Sequence, residues 1–132
     1  MKGILKVCNE KYIVNEEKGI VTYLINVSTN NCGRIQGDDV YYNEYGIAKK
    51  LGFYGYYTTV IGIAKCNPTD KFDLNKGIQI ARNRAEIKVA QLEQKAIRIL
   101  CKHIGRIWDY TSALYNNRSE MIKEKKEYIK NI

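Results

Sequence analysis

Ile61-Gly62-Ile63-Ala64-Lys65-Cys66-Asn67-Pro68-Thr69-Asp70-Lys71-Phe72-Asp73-Leu74, continuing through Gly77 to Arg82, Arg84 and Ala85, passes from a strand pattern to a helix pattern within a few residues. Upstream of Pro68 the chain is β-prone. Tyr56 to Cys66 reads as the best strand in the protein, with Tyr57, Thr59, Ile61 and Ile63 on one side. Pro68 holds Asn67 extended and stops the strand. Asp73 then suits the N-cap of a helix starting near Leu74, although Thr69 or Asp70 could cap an earlier turn. Lys76 at the third helical position rules out a capping box. From Ile78 the apolar positions fall at 78, 81, 85, 89, 92, 96 and 99 or 100, the 3–4 spacing of an amphipathic helix.

Working outward, Ile4 to Val7 reads as a strand. Lys11 to Val14 and Ile20 to Val27 read as a hairpin around Asn15-Glu16-Glu17-Lys18-Gly19. Nearly every residue from Gly19 to Val27 is β-prone, so this strand is expected to be covered on both faces. Ser28 to Gly33 reads as a loop. Arg34 to Gly55 is a Tyr- and Gly-rich excursion holding Asp38-Asp39, Tyr41, Tyr42 and Tyr45. Ile47 to Leu51 could form one short helix there, with Gly46, Gly52 and Gly55 as breaks. Beyond Leu100 the long helix is expected to persist toward Tyr115, with a kink at Gly105, and Ser119 to cap a final, mostly solvated helix from Glu120 to Lys130. The fold class is α+β: an N-terminal antiparallel sheet, then a long amphipathic helix and a C-terminal helix. Residues 1–132 are expected to form a single domain, β-rich over about 1–66 and helical over about 74–131.

A hydrophobic share of 45% supports a real core. No apolar run reaches the ~18 residues of a membrane span, and the N-terminus lacks an apolar leader, so neither a membrane nor a signal peptide is expected. Cys8, Cys32, Cys66 and Cys101 lie far apart and form no CxxC, and His103 is the sole histidine. That spacing argues against a metal site and for free, mostly buried thiols in a reducing cytoplasm. A helix near 30 residues exceeds what a small sheet can cover. The C-terminal helix, a second copy of the chain, or both should cover the remainder, so a homodimer or higher homo-oligomer is expected.

The net charge of +8 is lopsided. Residues 71–132 carry fourteen basic and seven acidic side chains; residues 1–70 carry eight and seven. An anionic partner follows: a nucleotide, nucleic acid or an acidic protein surface. Arg84, Lys88, Lys95, Arg98, Lys102 and Arg106 recur at helical intervals beside the apolar stripe, an anion-binding strip or simply a solvated face. Arg82 and Arg84, near the start of the helix, together suit phosphate oxygens. Eleven tyrosines, with Phe53, Phe72 and Trp108, supply flat surfaces for a base, although strand packing accounts for most of them. Catalytic signatures are lacking: there is no GxSxG, GxxxxGK[ST], HExxH or GxGxxG. Binding without catalysis, and without a cofactor, is the expectation.

The run Thr59 to Gly77, with its Cys66-Asn67-Pro68-Thr69-Asp70-Lys71-Phe72-Asp73 loop, followed by Ile80-Ala81-Arg82-Asn83-Arg84-Ala85, resembles the phage Thoeris anti-defence family of the first-described type. The resemblance covers about 30 residues, Thr59 to Lys88, and is looser around the Asn15 to Gly19 turn. It implies a viral protein that sequesters a cyclic ADP-ribose isomer made by a bacterial TIR-domain defence protein. The signal would be held without cleavage, in the cytoplasm of the infected bacterial host. On that implication Arg82 and Arg84 would take the phosphates, and Lys88 would also bind the ligand. Phe72 or Tyr57 would stack on adenine, and Asn67 would bond sugar or base edges. Lys65 and Lys71 are further candidates. Phe72 could equally be a staple packing the helix start on the sheet. The alternative is a small basic phage protein that binds nucleic acid through its helix.

Overall fold

Three strands, β1 (Lys6–Asn15), β2 (Ile20–Ser28) and β3 (Tyr57–Lys65), form an antiparallel sheet in the order β1-β2-β3. A short helix α1 (Glu44–Lys50) lies between β2 and β3, and two long helices follow, α2 (Leu74–His103) and α3 (Trp108–Asn131). The α+β expectation holds. The computed structural model describes residues 3–29, 44–103 and 108–132. Cys32, the loop expected over 30–33, Asp38-Asp39, Tyr41, Tyr42, the Gly105 kink and Arg106 lie outside the described residues. None of the described helices is long and apolar enough to cross a membrane.

The hairpin forms where the turn residues place it. Asn15 pairs with Ile20. The Gly19 amide donates to the Glu16 carbonyl at 3.2 Å, and the Lys18 amide to Asn15 Oδ1 at 3.1 Å. Gly19 takes a φ of +65°, which glycine adopts without strain. The first strand differs from expectation. β1 is one ten-residue strand with a bulge between Val7 and Asn9, while Ile4 and Leu5 precede it and are buried. Those two apolar residues are anchors rather than strand, and the Leu5 amide donates to Glu93 Oε2 at 2.9 Å.

β2 is covered on one face only, which corrects the two-faced expectation. Val21, Tyr23, Ile25 and Val27 are buried under α2, while Ile20, Thr22, Leu24 and Asn26 stay half-buried on the other face. The uniform β-propensity of β2 reflects its central place between two hydrogen-bonded neighbours. Beside its open face stand Ile13, Ile61 and Ile63, all exposed. α1 is seated by Ile47 and Ala48, with Leu51 and Phe53 buried just after it.

Asp73 is the cap: its Oδ1 accepts from the Lys76 amide at 3.1 Å. From there α2 presses on β3 at small residues, Gly62 against Ala81 and Ala85. Its other buried face, with Ile87 and Ala90, meets Ile122 of α3. The two helices run antiparallel: Cys101 Sγ lies 2.8 Å from Thr111 Oγ1, Lys125 pairs with Glu86, and Tyr128 Oη donates to Gln79 Oε1 at 2.8 Å. Of the covers expected for the long helix, the C-terminal helix is present. The helix boundary differs, however. α3 begins at Trp108, and Ser119 sits inside it, its hydroxyl accepting from Gln94 Nε2 at 2.6 Å rather than capping a helix. At the centre, the nearly buried Glu93 is paired with Arg118. Cys8, Cys66 and Cys101 are free thiols, but Cys8 is exposed and the other two only half-buried, because β1 is an edge strand and Cys66 opens onto a cleft.

Candidate functional site

The end of β3, the loop after it and the first turn of α2 enclose a cleft of about 530 Å³. The chain enters it under tight local control. The Cys66 amide donates to the Gly19 carbonyl at 2.8 Å, tying the strand end to the hairpin turn. Asn67 then folds the loop: its Oδ1 accepts from the Thr69 amide at 3.1 Å and the Thr69 hydroxyl at 3.0 Å, while its carbonyl accepts from the Asp70 amide at 2.9 Å. This Asx turn is the local alternative that asparagine offers the backbone. Phe72 is half-buried against the core and lies near Gly19 and Gly77, so it both staples the helix start and lines the cleft.

The charges around the cleft are Lys65, Lys71 and Lys76 against Asp70 and Asp73. Three ammonium groups against two carboxylates leave the lining with a net charge of +1. The positive potential at the N-terminal end of α2 is offset by the Asp73 carboxylate that caps it.

No protein-family model matches the chain, and no curated protein or solved structure does either.

Of the six residues singled out from the sequence, the structure brings two together here, Asn67 and Phe72. Tyr57 lies at the far end of β3, eight residues and roughly 26 Å from Lys65, and is half exposed on the open face. Arg82 and Arg84 do not converge, because positions two apart on a helix face opposite ways. Arg84 Nη1 donates to the Ile63 carbonyl at 2.6 Å, and Lys88 Nζ bonds the Ile61 carbonyl, so both lie along the edge of β3. Farther along the basic strip, Arg98 donates to Tyr115 Oη at 2.7 Å and lies 5.4 Å from that ring's centre. Lys76 is the cleft residue that the sequence reading passed over. The Asp73 cap had fixed its position on the first helical turn, which was the signal available.

Arg82 lines a separate cleft of about 510 Å³, where it pairs with Glu86 at 2.9 Å and approaches Glu10 at 3.9 Å. Tyr23 Oη donates to Glu10 Oε1 at 3.0 Å beside it. Burial, then the bond to Glu10 and its negative charge, raise the Tyr23 phenol above its ordinary value of 10.0. The unfolded chain releases this proton near pH 10 while the folded chain retains it. The contribution is therefore fully present below pH 10 and is lost as pH rises through the folded value. Urea denaturation at pH 8 and pH 11 should show wild type losing more stability on the alkaline side than Tyr23→Phe. Equal slopes would mean that Tyr23 does not hold its proton on folding.

Proposed function

We propose that the chain binds a nucleotide with a pyrophosphate group in the junction cleft and holds it intact, withdrawing it from solution. The observation that carries this reading is one cleft lined by Lys65, Lys71, Lys76, the start of α2 and the Phe72 ring. Ammonium groups act as point charges toward phosphate, and a half-buried ring offers a face to a base. The resemblance over Thr59 to Lys88 narrows the ligand to a cyclic ADP-ribose isomer. It gives the role as sequestration of a TIR-domain immune signal in the cytoplasm of an infected bacterium. Relative to the sequence expectation, the phosphate-binding groups move from Arg82 and Arg84 to the three lysines.

Purified protein mixed with a cyclic ADP-ribose isomer should deplete it from the filtrate, and heat denaturation should return the same mass. Recovery of a hydrolysed product would make the protein an enzyme. No depletion, together with salt-sensitive binding of single-stranded DNA, would favour the nucleic-acid reading. Lys71→Ala with Lys76→Ala should weaken nucleotide binding by about ten-fold or more. Arg82→Ala, in the other cleft, should leave it unchanged.

A further inference from the structure

We propose that the outer edge of β1 pairs antiparallel with the β1 edge of a second copy of the chain, centred on Tyr12, giving one continuous sheet across a two-fold axis. The inference is independent of the binding site and starts from where the backbone groups point. On β3, the amide and carbonyl of Tyr57 both bond to Tyr54, away from β2, whereas the amide of Cys66 points inward to Gly19. Alternation then directs Tyr57, Thr59, Ile61 and Ile63 outward and residues 58, 60, 62 and 64 toward β2. Their β2 partners are Val27, Ile25, Tyr23 and Val21, so the intervening Ile20, Thr22, Leu24 and Asn26 bond to β1 opposite Asn15, Ile13, Lys11 and Asn9. The amides and carbonyls of Glu10, Tyr12 and Val14 are left facing outward.

The two edges of the sheet are treated differently. At the β3 edge, the carbonyls of Tyr57, Ile61 and Ile63 are taken by Tyr54, Lys88 and Arg84. Long cationic side chains laid over an edge block strand addition. At the β1 edge, no partner occurs among the described residues for the backbone groups of Glu10, Tyr12 and Val14, and the strand is exposed along almost its whole length. Growth can therefore proceed at one edge only, and it closes at two copies instead of running into a fibre.

The occupant follows from register. The outward set is symmetric about Tyr12. Centring the two-fold there sets Tyr12 opposite Tyr12 of the second copy and Glu10 opposite its Val14, and each such pair exchanges two backbone bonds. Lys11 then faces Ile13 of the second copy, so no like charges meet. Centring on Lys11 would set two lysines opposite one another, and centring on Glu10 two carboxylates. The chosen register also covers two of the three large apolar side chains that β1 exposes, Tyr12 at 51% and Ile13 at 57%, the third being Val7 nearer the start of the strand. The axis is perpendicular to the sheet, so both copies keep their helices on one side.

Analytical ultracentrifugation of the full chain should give a species of twice the chain mass. Tyr12→Pro removes an outward amide that the chain's own ladder does not use. It should sediment as a monomer with an unchanged circular dichroism spectrum. Amide hydrogen exchange of wild type provides the readout that needs no variant. The Glu10, Tyr12 and Val14 amides should exchange about ten-fold slower at high than at low protein concentration. A monomer at all concentrations, a dimer unaffected by Tyr12→Pro, a larger closed assembly, or concentration-independent exchange at those three amides would each overturn the proposal.

Discussion

Gly62→Ala is expected to take a large share of the stability of the domain. A methyl group built at Gly62 would stand 2.0 Å from the Ala81 carbonyl oxygen and 2.5 Å from the Ala85 amide nitrogen. Both are backbone atoms of α2, so no side chain can turn aside to admit it. The helix would have to rise off the sheet, opening the packing of Ala81, Ala85, Val60 and Ala64, all buried in one core. Overpacking typically costs about 1–3 kcal/mol, and more where backbone must move, against a total of about 5–15 kcal/mol for a domain. We expect a loss of at least ~3 kcal/mol in urea denaturation followed by circular dichroism. A midpoint within ~0.5 kcal/mol of wild type would mean that α2 does not sit on β3 at this close approach.

Arg118→Met is the second large effect. Glu93 is only 3% exposed, and its partners are the Arg118 guanidinium on α3 and the Leu5 amide ahead of β1. The pair thus joins both long helices and the N-terminal segment at one point. Removing the arginine leaves a buried carboxylate with one backbone donor, and breaking a buried pair in this way costs about 3–5 kcal/mol. The loss should appear as a lowered urea midpoint. Combining it with Glu93→Leu should recover much of the loss, because two apolar groups of similar size strand no charge. A double variant as unstable as the sum of the two singles would show that the two residues act separately.

The sequence makes the hairpin, β3, the Asp73 cap and the cleft loop legible, because each is written in local chemistry: Asn15 to Gly19 as a turn, Pro68 as a stop, Asp73 as a cap. Element order follows from the same signals. The break between α2 and α3 is not legible in that way. Ser119 is a good capping residue by type, but in α3 its hydroxyl serves Gln94 across the helix pair, a tertiary use that no local pattern announces. Arg82 and Arg84 fail as a pair for a related reason. Adjacency along the chain suggested a joint grip, whereas helical geometry sends one toward Glu10 and Glu86 and the other to the carbonyl of Ile63. Lys76 became a cleft residue only once the cap fixed where the helix begins, while Lys65 and Lys71 were visible from the loop itself.

The antiparallel return of α3 has a practical consequence for handling the protein. Tyr128 reaches Gln79, so the last residues of the described chain come back to within about two turns of the start of α2, beside the junction cleft. An affinity tag fused after Ile132 would leave the chain near the start of α2, the helix whose first turn lines that cleft, and would crowd a ligand there. Gly3 lies instead against Glu93, nineteen residues along α2 from Leu74 and roughly 28 Å away. Purification handles for ligand measurements therefore belong at the amino end, behind a cleavable spacer.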